Sequence, residues 1–229
     1  MEIVPGIHMI EDITAHCYLV DDEELILIDT GMPHKTKKLL QYITDTLQRK
    51  QSDLKTIILT DCDIDHSGNA LELRDLTGAK IAAHPQDAEI ISGEKTRMAP
   101  QACMSSLFKI VGSFMRVKPF HVDLLIKEGD NISGFTVLDM PGHTLGSIAL
   151  YDPKRKVLFI GDTLGYHDGI IHGPSKSVTM DMTQAYRSIE KLKNLDFTVL
   201  LSGHGAPLKS NASSMVTEFI HKNNSETTK

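Results

Sequence analysis

The sequence predicts an α/β protein built as a four-layer sandwich, with two sheets face to face and helices on both outer faces. Two observations lead there. Short β-branched strands alternate with amphipathic helical stretches, and this strand-then-helix order occurs twice along the chain. One of the strands, over 56–60, also reads as buried. The 229 residues are enough for one domain with a sizeable core, so the reading takes 1–229 as a single domain.

Each element has its own signal. Residues 3–10, 14–20 and 25–29 are β-branched runs separated by acidic or glycine turns. Asp29, Thr30, Gly31 and Met32 then break the sheet, and a helix is expected over 35–48 with Leu39, Leu40, Ile43 and Leu47 on one face. A strand at 56–60 is followed by a helix over 66–76 that stops at Gly78. Residues 79–84 form another strand, and Pro85 opens another helix. Residues 93–120, with Met98, Met104, Phe108, Phe114, Met115 and Phe120, read as a helical insertion that serves either as core or as a lid. Strands near 124–127, 135–140, 147–151 and 157–160 are assigned to the second sheet. A helix over 182–192, a strand over 197–202 and a last helix over 213–222 complete the chain.

Composition narrows the function. The net charge is −6, and Lys and Arg are scattered without a basic stripe, so no nucleic-acid partner is expected. No apolar run approaches the roughly 20 residues of a membrane span, and no membrane partner is expected. The N-terminus lacks a basic segment followed by an apolar core, which argues against a secretory signal. Cys17, Cys62 and Cys103 are odd in number and widely spaced, so a disulfide framework is not expected and a cytoplasmic setting is the simplest reading. A small-molecule substrate is expected, and an oligomer is allowed.

Four apolar strands stop abruptly at Asp, His and Gly. They lead into Asp61, Cys62, Asp63, Ile64, Asp65 and His66; into Gly142 and His143; into Gly161 and Asp162; and into Gly203 and His204. Strand ends gathered at one edge of a sandwich bring carboxylates and imidazoles together, and these are ligands for divalent metals. Asp61, Asp63 and Asp65 alternate, so an extended chain would point all three to one side, with Cys62 turned away as a packed thiol. Three clustered carboxylates repel one another unless a cation holds them. The competing reading is an acidic turn with Asp65 as N-cap of the following helix.

The order of these segments resembles the metallo-β-lactamase superfamily over nearly the whole chain. That family carries a His-x-His-x-Asp-His motif, then a lone His, a bridging Asp and a final His; Asp29, Thr30 and Gly31 match its structural turn below the metals. The departures are Asp61 and Asp63, which stand where the family has its first and second His. The resemblance implies one metal on Asp61, Asp63 and His143, another on Asp65, His66 and His204, and Asp162 between them. It implies hydrolysis of an ester, thioester or lactone by a metal-bridging hydroxide, with Asp65 and Asp162 in catalytic roles. Tyr166 and His172, in the loop after Asp162, and His84, at a strand end, are candidates for substrate contact or ligand support. His8, His16, His34, His121 and His221 are assigned no role.

Four carboxylates balance two divalent ions and shift the expected preference from Zn toward Mn or Fe. Two outcomes stay open: a complete two-metal site, or a first position weakened by Asp61 that leaves one metal on Asp65, His66 and His204. Two other classes are carried beside the hydrolase. One is a di-iron redox protein of flavodiiron type with a separate flavoprotein partner, and the other is a metal-binding relative without activity.

Overall fold

In the computed structural model, residues 1–10, 14–97 and 117–227 are described. The first sheet has seven strands in sequential order: β1 (Glu2–Val4), β2 (Ile7–Ile10), β3 (Cys17–Asp21), β4 (Leu25–Ile28), β5 (Leu54–Ile58), β6 (Lys80–Ala83) and β7 (Leu124–Leu125). β1 to β4 pair antiparallel, and β4 to β7 pair parallel. The second sheet has the order β14-β11-β10-β9-β8, from β8 (Asn131–Ile132), β9 (Phe135–Asp139), β10 (Ile148–Asp152), β11 (Val157–Gly161) and β14 (Val199–Ser202). Among the described residues its only parallel pairing is β11 with β14. A short hairpin, β12 (Gly165–His167) with β13 (Ile170–His172), stands apart.

The apolar residues sort into three layers. Alternate residues of one strand point to opposite faces, so Ile26, Ile28 and Ile58 face the second sheet, while Leu27, Ile57 and Leu59 face helices. Between the sheets lie Tyr18, Val20, Phe135, Val137, Leu150, Phe159 and Leu201. Outside the first sheet pack α1 (Thr36–Gln41), α3 (Ala70–Thr77) and α4 (Pro85–Ile91), through Leu39, Leu73 and Ile91. Outside the second pack α5 (Met182–Glu190) and α6 (Ala212–Thr227), through Ile189, Val216 and Ile220. The result is the expected four-layer αββα sandwich. Burial on both faces explains why β4 reads as an uninterrupted Leu25, Ile26, Leu27, Ile28 run.

Three boundaries differ from expectation. The strand expected over 3–10 is a hairpin, because Pro5 and Gly6 turn the chain with Gly6 at φ 76°. The strand near 124–127 belongs to the first sheet, where β7 extends β6 in parallel (Ala82 opposite Leu124). Asp123 anchors it by accepting the Ile81 amide at 2.9 Å. Strand periodicity carries no information about which sheet a strand joins.

The helix expected over 66–76 is two pieces, α2 (Ile64–Ser67) and α3, separated at Gly68 and Asn69. Any Cβ at Gly68 would collide with the Gly31 carbonyl, and the Asn69 amide donates to the carbonyls of Thr30, Gly31 and Met32. The Asp29–Lys35 loop is thereby moulded onto the break. Of the expected insertion over 93–120, residues 98–116 lie outside the described residues; Phe120, at its end, is buried against the first-sheet helices. Among the described residues no helix is long and apolar enough to cross a membrane.

Phe159 lies at the centre of the inter-sheet layer, with Tyr18 and Phe135 rings edge-on at 5.4 and 5.7 Å between centroids. Phe159→Ala is expected to cost about 3–5 kcal/mol through lost burial and a cavity. Urea unfolding measures this, and a loss under about 1 kcal/mol would contradict a close-packed layer at this point.

Candidate metal centre

The site begins below the ligands, at Asp29. Its backbone takes a left-handed φ of 59° where β4 ends. Its carboxylate accepts the Thr60 amide at 2.8 Å and the Thr60 hydroxyl at 2.7 Å, and contacts His66 Nδ1 at 2.9 Å. One buried side chain thus ties the end of β4 to the end of β5 and to the first imidazole. With Asp29 as acceptor, the hydrogen-bond network puts a proton on Nδ1 and turns Nε2 toward Asp162 and the cluster.

Past β5 the chain is not an extended strand. Asp61 is buried, and its Oδ1 accepts the Asp63 amide at 2.9 Å, closing a tight turn. Asp63 occupies the N-cap position of α2, without a side-chain capping bond, and Asp65 lies in the first helical turn. The three aspartates therefore do not converge by strand alternation, and Asp65 is not the cap. A turn followed by one helical turn delivers Asp61 and Asp63 toward His143, and Asp65 and His66 toward His204. Cys62 is buried as expected.

His143 sits on the loop between β9 and β10. Gly142 before it has φ 143°, and a Cβ there would overlap Ala185 of α5. His143 Nε2 lies 3.1 Å from Asp63 Oδ2, and its Nδ1 lies 3.4 Å from the Thr179 hydroxyl. His204 follows β14, with Nε2 3.2 Å from Asp65 Oδ2. Asp162, just past β11, lies between all three imidazoles, at 3.2 Å from His66, 3.5 Å from His204 and 3.7 Å from His143. Gly203 lets this carboxylate in, since a Cβ there would strike Asp162 and crowd His66. All seven expected ligands are thus gathered at one end of the sandwich.

The donor set fits divalent cations. Asp61 Oδ2, His66 Nε2 and Asp162 Oδ1 are buried without a hydrogen-bond partner, which is costly unless something else satisfies them. Three overlapping groups offer ligand atoms within 4.8 Å of one another: Asp61, Asp63 and His143; Asp61, His66 and Asp162; and Asp65, His66 and His204. The first and third are the two sets expected from the sequence.

The remaining candidates separate. His172 lines a cavity of 210 Å³ beside Asp162 and His204, together with His167, Pro174 and Ser175. Tyr166 instead packs its ring on the layer outside the second sheet. His84 caps α4, accepting the Gln86 amide at 3.3 Å, and its Nε2 is 3.7 Å from Asp139.

Three residues near the site were given no role from sequence. His16 donates its amide to the Gly203 carbonyl and lies beside His204 and His167. Asp87, fully buried on α4, accepts the Thr144 hydroxyl at 2.7 Å and the Gly146 amide at 2.9 Å, fixing the loop that carries His143. Arg97 places Nε 2.5 Å from Asp63 Oδ1. An Asp in the first turn of a helix reads as an ordinary helix-end charge, and Arg97 falls in the stretch read as an insertion, so neither carried a usable signal.

A carboxylate-rich centre of this kind, at the strand ends of an αββα sandwich, defines a class of metal-binding proteins. The metallo-beta-lactamase superfamily profile matches residues 11–204, and the chain belongs to that superfamily. A probable metallo-hydrolase of Bacillus subtilis, YflN, is 28% identical over 248 residues, covering 96% of this chain and 92% of its own. The human acyl-coenzyme A thioesterase MBLAC2 is 28% identical over 172 residues; the match covers 68% of this chain and 59% of the human one. Among solved structures, the metallo-beta-lactamase family protein TTHA1429 of Thermus thermophilus superposes with a TM-score of 0.73 at 22% identity, over 98% of this chain and 81% of its own. It shares the fold.

Protonation in the metal-free protein follows from this packing. Burial opposes charge on His66 and His143, but the surrounding aspartates outweigh it and raise both; the Asp65 contact raises His204. Burial pushes the Asp61 carboxyl up to about 8. Burial also opposes charge on Asp162, yet the three imidazoles hold its carboxyl below the usual range. A raised histidine stabilises the fold when protonated, fully below about 6.5 and less as pH rises through its folded value. Asp61 has the same sign between roughly 4 and 8, whereas the lowered Asp162 acts only below about 4. Chelator-treated protein should therefore lose thermal stability as pH is raised from 6 to 9. Added divalent metal should reduce that slope, because binding displaces the same protons. A melting temperature that is flat or rising over this range without metal would contradict the assignment.

Proposed function

We propose that the protein is a hydrolase of a small acyl ester, thioester or lactone, working with two divalent ions on Asp61, Asp63 and His143 and on Asp65, His66 and His204. The observation that carries this reading is Asp162, in reach of all three imidazoles and bearing an unpaired buried oxygen at the junction of the two sets. The likeness to an acyl-coenzyme A thioesterase supports an acyl substrate. Bound ions supply an acidified water and polarise a carbonyl.

The chain's own residues do the rest. Asp162 and the imidazoles orient the reacting groups, and Asp65 takes a proton from the attacking water and returns it to the leaving group, a role supported by its contact with His204 at 3.2 Å. A carbon–oxygen bond forms at the acyl carbon and the bond to the leaving oxygen or sulfur breaks; an ester or thioester gives an acid and an alcohol or thiol, and a lactone gives a single hydroxy acid. His167 and His172 in the adjoining cavity offer donors to the substrate carbonyl or its leaving group. With four carboxylates in the ligand set, Mn or Fe is favoured over Zn.

The test is hydrolysis of a panel of acyl thioesters, aryl esters and lactones by chelated protein reloaded with Mn, Fe or Zn. Activity should require metal, and Asp162→Asn and His143→Ala should each lower kcat/KM by at least about a hundredfold, with far-UV circular dichroism unchanged. Hydrolysis that persists in both variants would sink the proposal. His172→Ala should chiefly raise KM, since it removes substrate contact and leaves the ligands intact. A loss of metal content in that variant would instead make His172 part of the metal centre.

A further inference from the structure

The two ligand sets have opposite surroundings. His66, in the Asp65, His66 and His204 set, is backed by the buried carboxylate of Asp29 at 2.9 Å from Nδ1. An acidic partner raises the basicity of an imidazole ligand and strengthens its hold on a cation. The Asp61, Asp63 and His143 set has no such support among these contacts. His143 Nδ1 meets the neutral Thr179 hydroxyl, and Asp63 is held on its other side by a cation, Arg97.

The Arg97 contact is fixed by more than charge. Its Nε lies against Asp63 Oδ1 while Asp63 Oδ2 faces His143 Nε2 at 3.1 Å. Its Nη2 donates to the Val178 carbonyl at 3.0 Å. Val178 directly precedes Thr179, the residue against His143, and the Met180 amide donates to the His143 carbonyl. The guanidinium therefore spans Asp63, through an ion pair without hydrogen-bond geometry, and the Val178 carbonyl of the segment that backs His143, to which it donates. Only a fifth of its surface reaches solvent, which limits screening of its charge.

We infer that Arg97 sets the two metal positions apart, drawing charge from Asp63 and lowering the divalent affinity of the Asp61, Asp63 and His143 position below that of the Asp65, His66 and His204 position. Arg97 is a positioning residue: it acts on the metal through Asp63. The inference rests on the metal-binding reading of the site. It makes loading stepwise, with the Asp29-backed position filling first and the Arg97-backed position filling only at higher metal concentration.

Isothermal titration of chelated full-length protein with Mn²⁺ tests this without reference to turnover. Wild type should show two classes of site. Arg97→Gln should tighten the weaker class by about tenfold, the scale of removing one partly screened charge near a bound ion, and leave the stronger class within about twofold. Arg97→Lys keeps the charge and should stay near wild type. Thermal melts of both variants confirm that the fold survives. If Arg97→Gln leaves the weaker class unchanged, or weakens it, the inference is overturned and Arg97 only braces Asp63. Two equal sites in wild type overturn this inference alone. If wild type binds neither Mn²⁺ nor Zn²⁺, the metal reading beneath it fails as well.

Discussion

Four aspartates and three histidines packed into one end of a sandwich create the constraint around which the rest of this protein is arranged. Asp61 is buried, and Asp63, Asp65 and Asp162 are mostly covered, within contact distance of the imidazoles or of one another. Without counter-charge such carboxylates repel and cannot all stay ionised. The protein supplies part of the balance itself, through imidazoles drawn toward their protonated form, and the unpaired oxygens of Asp61 and Asp162 show where that supply stops. These are the atoms a divalent cation would satisfy.

Much of the surrounding structure serves to hold these groups against their repulsion. Asp29 joins two strand ends to His66, and Asp87 joins α4 to the His143 loop. Asn69 moulds the loop after β4, and Gly203 and Gly142 allow approaches that any side chain would block. Below them the two sheets present a close-packed apolar layer, so that the ends of β5, β11 and β14 keep fixed spacing. Asp162 and His204 follow directly on strands buried on both faces, while a turn, one helical turn and the loop after β9 carry the other candidate ligands.

Some of this was plain in the sequence. Strands followed by helices, twice over, announced a sandwich with helices outside, and abrupt Asp, His and Gly endings announced the candidate ligands; all seven converge. Strand alternation, however, is not what brings Asp61, Asp63 and Asp65 together. Alternation belongs to an extended strand, whereas Asp65 arrives by a helical turn, because Gly68 and Asn69 must fit beneath the Thr30–Met32 backbone. That β7 joins the first sheet is hidden for a related reason: pairing partners are chosen by the path of the chain between strands, and local pattern does not record that path.

The sequence by itself determined which residues are apolar enough to be buried, where strands must stop, and which side chains are available to bind a cation. These are local properties, set by side-chain chemistry and short-range periodicity. The tertiary structure decided which charges meet. Asp29 beneath His66, Asp87 beneath the His143 loop, Arg97 against Asp63, and His16 beside His204 are all contacts between residues far apart in the chain. Electrostatic influence falls off with distance in space, not along the sequence. The different surroundings of the two candidate ligand sets could therefore be read only once the chain had folded around them.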